Sequence, residues 1–136
     1  MPTLLIAAAG LAASSALEEA STGEAVDPQL LACIDAANAD DLLIRDCYQS
    51  FVQRQDAEMN IAWNRLMTVV GRRSEVGRAL LGEQRAWLAY RDSACEHFDL
   101  SGTLGRAEGA MCSSNLVADR ITQIRDYVLF YNAGEE

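Results

Sequence analysis

The sequence predicts an all-α fold, a small antiparallel bundle of about four helices, one short and three long, stapled by two disulfides. Three observations lead there. Apolar residues recur at intervals of three and four along most of the chain, and no segment alternates in the manner of a strand. Residues suited to capping stand where the periodic segments begin, and glycines stand near where they end. Four cysteines flank two of the places where the periodicity breaks. With 136 residues, half of them hydrophobic, the chain suits a single domain.

The first residues do not read as part of that domain. Leu4 to Leu11 is apolar and rich in alanine, and Ser14-Ser15-Ala16 offers small residues at the positions a signal peptidase reads. The apolar run is too short for a transmembrane helix, and Met1-Pro2-Thr3 lacks the usual positive charge. Residues 1–16 are expected to be an export signal, with cleavage near Ala25 as the alternative. Leu30-Leu31-Ala32-Cys33 looks superficially like a lipoprotein processing box. The stretch from Glu18 to Gln29, with its acids and Pro28, separates it from the apolar run, so no lipid anchor and no membrane insertion are expected.

The domain itself is expected over residues 27–131. Asp27-Pro28 supplies a cap and a first-turn proline for a short helix ending near Asn38. Asp40 or Asp41 caps a long helix that reaches Val70 and stops at Gly71. Ile44, Tyr48, Phe51, Met59, Ala62 and Leu66 give it its helical spacing. Ser74 opens a third helix running through Cys95 to about Phe98, with Gly77 and Gly82 as weak points. Leu100 to Gly109 contains three glycines and reads as a loop. A fourth helix spans about Ala110 to Tyr131, with Val117, Ile121, Ile124 and Val128 on one side. The tail, residues 132–136, is expected to fray.

In an exported chain the four cysteines read as two disulfides, for which three pairings exist. Antiparallel helices would bring Cys33 to Cys47 across the first turn, and Cys95 and Cys112 flank the glycine-containing loop. The sequential pairing is therefore favoured, each bridge closing about 15–18 residues and contributing roughly 3 kcal/mol. There is no Cys-x-x-Cys and no histidine beside a cysteine pair, so neither a metal site nor a thioredoxin-like redox motif is expected.

Charge narrows the partners. Twenty acidic residues face eleven basic ones, all arginine, for a net charge of −9. That balance argues against nucleic acid and anionic membranes. It would speed encounter with a cationic protein, although acidity also serves solubility alone. No Gly-x-Ser-x-Gly, His-Glu-x-x-His or phosphate loop is present, so no enzyme and no cofactor are expected. Asp40-Asp41 and Glu18-Glu19 are adjacent pairs whose side chains diverge on a helix.

Leu80, Gln84, Trp87, Leu88, Arg91 and Cys95 share one helical face. An amide and a guanidinium thus lie inside a core-like stripe, where each needs partners. Arg91 is expected to be buried against a carboxylate, Asp56 or Glu58. Asp92 with Arg120 is expected to form a second contact. Trp63 and Trp87 read as core aromatics, and Gln84 as a bridge between backbone groups of neighbouring helices.

Three blocks carry a resemblance: Gln55 to Asn60 with Trp63, Gln84 to Cys95, and Cys112 to Arg125. In order and spacing they resemble the lysozyme inhibitor LprI N-terminal domain family. Asp56, Met59, Asn60 and Trp63 fill its Asp-x-x-Leu-Asn-x-x-Tyr segment, with Met for Leu and Trp for Tyr. Gln84, Ala86, Trp87, Tyr90, Arg91, Asp92 and Cys95 match the next segment, and Cys112 with Arg120 completes the pattern. The resemblance implies an exported bacterial helical domain whose namesake binds and inhibits host lysozyme. It supplies no inhibitory contact residue.

Read physically, the motif positions Asp56, Asn60, Trp63, Gln84, Trp87, Tyr90, Arg91, Asp92 and Arg120 look structural. His97, the sole histidine, and Arg106 lie inside the loop closed by Cys95 and Cys112. They are candidate donors toward the two catalytic carboxylates of a lysozyme cleft. Two function classes follow: an exported module that blocks a cationic muramidase, or a structural or assembly domain of the cell envelope.

Overall fold

The computed structural model describes residues 27–134, and every regular element among them is helical. The elements are α1 (Pro28–Ala37), α2 (Asp41–Val70), α3 (Glu75–Ala94), the single turn α4 (Glu96–Asp99) and α5 (Gly102–Ala133). Disulfides join Cys33 to Cys47 and Cys95 to Cys112, with Cα–Cα distances of 5.7 and 5.9 Å. The all-α bundle and the sequential pairing expected from the sequence are what the chain adopts. The expected export signal lies outside the described residues.

Local chemistry accounts for the helix starts. The Asp27 carboxylate accepts from the Leu30 amide at 2.8 Å, and Pro28 follows in the first turn. Asp40, of the two candidates, caps α2 by accepting from the Leu42 and Leu43 amides. Ser74 accepts from the Gly77 amide at 2.8 Å. Between α1 and α2 the chain reverses through Asn38 and Ala39, both left-handed at φ 47° and 63°. Asparagine suits that conformation, whereas alanine adopts it at a cost of about 1–2 kcal/mol.

The core is chiefly the seam between α2 and α5. Met59, Leu66 and Met67 from α2 meet Val117, Ile121, Ile124 and Val128 from α5, and Leu80 of α3 closes one side. Leu66, Val117 and Ile124 are fully enclosed. Trp63 and Trp87 pack against this cluster but remain partly exposed, so they are border rather than core aromatics.

Two boundaries differ from the expectation. Helix α3 stops at Ala94, and α4 is a separate turn after Cys95. Residues 102–109 are helical, not a loop, and belong to α5. Their glycines serve contact more than chain reversal: a Cβ at Gly105 would collide with the Phe98 carbonyl, and one at Gly109 would sit 3.4 Å from the Phe98 Cβ. Only Gly102, at φ 79°, uses glycine's conformational freedom. At the other end α5 runs on to Ala133, into the stretch expected to fray. No described helix is long and apolar enough to cross a membrane.

Candidate functional site

The Cys95–Cys112 bridge ties the end of α3 to a point about three turns into α5, beside the first half of α2. Together with α4 these helices leave a groove of about 510 Å³ between them. Asp56 comes from α2, Arg91 and Asp92 from α3, Glu96 and Asp99 from α4, and Arg106 from α5. The lining mixes apolar residues such as Val52 and Ala110 with charges of both signs.

Arg91 lines the groove. Its Nη1 donates to Asp56 at 3.1 Å and its Nε to Asp92 at 3.4 Å, and the guanidinium lies 5.5 Å from the Trp87 ring centroid. The expected link to Asp56 is therefore present. The side chain is 21% exposed, however, because α3 ends one turn later and the bundle opens there. Glu58, the alternative partner, instead meets Arg125 at 3.4 Å on the surface.

The buried guanidinium is that of Arg120, which is 3% exposed. Its Nε donates to Gln84 Oε1 at 2.8 Å, and its Nη1 donates to Glu83 at 2.7 Å and to Gln123. The Tyr127 hydroxyl donates to the same Glu83 carboxylate at 2.9 Å. This corrects two expectations. Asp92 does not reach Arg120, since it sits on Arg91. Gln84 does not bridge backbone groups; it accepts from Arg120, and its Nε2 faces the Met59 sulfur at 3.8 Å.

The bridge to backbone is made by Gln55, whose Nε2 donates to the Ser114 carbonyl at 3.1 Å across the α2–α5 seam. Glu83 and Tyr127 were not singled out from the sequence, and Gln55 was named only as the start of a family block, with no role. Gln55 had a usable signal, since it lies on the same helical face as Val52, Met59, Ala62 and Leu66.

Three motif positions are exposed: Asn60, Tyr90 and Asp92, of which Asp92 pairs with Arg91. Arg106 lines the groove, whereas His97 lies outside it, exposed and 4.1 Å from the Phe98 ring. Two groups titrate away from their usual values. The Leu30 amide, with Arg54 nearby, holds the Asp27 carboxyl below the ordinary range. Partial burial and the Glu83 carboxylate push the Tyr127 hydroxyl upward. Among the described residues no group of three His, Cys, Asp or Glu side chains is placed to hold a metal ion.

Neither the curated proteins nor the solved structures include a match to this chain. A family model described as "Lysozyme inhibitor LprI" does match, over residues 33–124. The matched span takes in both disulfides, the Arg91–Asp56 pair and the buried Arg120 with Gln84. On that match, which covers more than half of its length, the chain belongs to the LprI lysozyme inhibitor family.

Proposed function

We propose that this protein is an exported binding module that occupies the cleft of a cationic lysozyme and blocks it. The observation that carries this reading is the family match over residues 33–124. Members of the family are inhibitor proteins. Two disulfides favour an oxidising compartment and hence export. The net charge of −9 would draw a cationic enzyme into encounter.

The cleft of such an enzyme carries two carboxylates, and Arg106 and His97 are the donors this end of the bundle offers them. A turbidity assay with a bacterial cell-wall suspension and a cationic C-type lysozyme tests the reading. Inhibition at stoichiometric amounts, weakening as salt rises, is the expected result. Complete indifference at saturating excess would overturn it in favour of an envelope structural domain. The double substitution His97→Ala with Arg106→Ala should weaken inhibition without lowering the melting temperature.

A further inference from the structure

Leu100 closes α4 and Leu104 stands in the first turn of α5, and they are 89% and 64% exposed. Single exposed leucines are ordinary on a protein surface. These two differ because the backbone that presents them is braced from several directions. The Cys95–Cys112 bridge closes the segment containing both. The Phe98 and Ser101 amides donate back to the Cys95 and Phe98 carbonyls at 3.2 and 3.0 Å. Gly105 packs so tightly against the Phe98 carbonyl that a Cβ has no room. An apolar corner held this firmly loses little freedom on binding.

The surrounding charge says what kind of partner fits. Glu96, Asp99 and Glu108 are exposed around the corner, with Arg106 the one arginine among them. Among the other exposed apolar residues, Ile61 and Leu129 stand out at 70% and 68% exposure, with Phe130 next to Leu129 at 71%. Ile61 and Leu129 lie in a shallow groove lined also by Arg65, Arg125 and Glu58. Its excess of arginine would oppose a cationic surface, whereas the acidic frame around Leu100 and Leu104 would attract one. Within that frame Arg106, with His97 on α4, is what can meet carboxylates inside a cleft.

We propose that the α4–α5 corner, with Leu100 and Leu104 as apolar anchors, is the surface that enters the lysozyme cleft. This rests on the inhibitor reading above and adds the part of the molecule that makes contact. The core of such an interface would be the two leucines, and the acidic residues its rim.

The test compares the full chain with two double variants, Leu100→Asp/Leu104→Asp and Ile61→Asp/Leu129→Asp, in the same lysozyme assay. All four positions are exposed, and equal melting temperatures would show that the fold is retained. The corner variant should need at least about 100-fold more protein for half-inhibition. The arginine-flanked variant should inhibit as the unaltered chain does. Inhibition retained by the corner variant would overturn this proposal while leaving the inhibitor reading intact. An unaltered chain that does not inhibit at all would overturn both.

Discussion

Arg120 sits at the centre of a cross-helix set, with Gln84 and Glu83 from α3 and Gln123 and Tyr127 from its own helix around it. Glu83 is 41% exposed and can be solvated, but Arg120→Ala strands the buried Gln84 oxygen and empties an enclosed site, so it should cost about 2–4 kcal/mol in urea unfolding. Arg91→Ala acts on a partly solvated pair and should cost no more than about 1 kcal/mol. The reverse order would refute the assignment of the buried role to Arg120. The sequence revealed that an arginine and a glutamine belonged inside the bundle, but not which arginine. Arg91 is on the right face of α3 but too near its end, whereas Arg120 lies mid-helix beside Val117, Ile121 and Ile124. Tyr127 adds a pH signature. Its folded pKa is raised above the usual 10.0, so the fold holds that proton more tightly than the unfolded chain does. Its contribution to stability is complete below pH 10 and fades as pH rises through the folded value. Tyrosinate absorbance should show a phenol titrating later than the rest, and Tyr127→Phe should remove it.

The helices were mostly legible because caps and apolar spacing agree at each start. Asp27, Asp40 and Ser74 all accept the amides their positions implied. The α4–α5 corner was not legible, since three glycines in ten residues look the same whether they reverse the chain or let two backbones touch. Phe98 decides between these, and its carbonyl becomes a neighbour of Gly105 only once the helices are packed. Gly105→Ala should therefore destabilise by about 1–3 kcal/mol as the corner is pushed apart, even though alanine is the better helix former. A melting temperature that rises instead would show that the close approach is absent. Replacing Cys95 and Cys112 together should cost about 3 kcal/mol by the loop-closure argument.

For the whole molecule, the cysteine positions together with the expected antiparallel helices were enough to set the staples. The choice of α2 and α5 as the main seam was not, because helices so distant in the chain reveal their pairing only through three-dimensional packing. On the proposed inhibitor reading, the net charge of −9 should make inhibition sensitive to salt. Raising ionic strength from 0.01 to 0.15 M shortens screening from about 30 to about 8 Å, and the association rate with a cationic lysozyme should fall while dissociation changes little. A salt-independent association rate would remove electrostatic steering from the account. Both disulfides join segments that are neighbours along the chain, 14 and 17 residues apart, and neither ties α2 to α5. A pull applied to the two ends therefore meets covalent shielding only over those short stretches. Under tension the oxidised protein should rupture along the seam between α2 and α5 and lengthen almost as far as its reduced form, short of it only by the slack locked inside the two bridges.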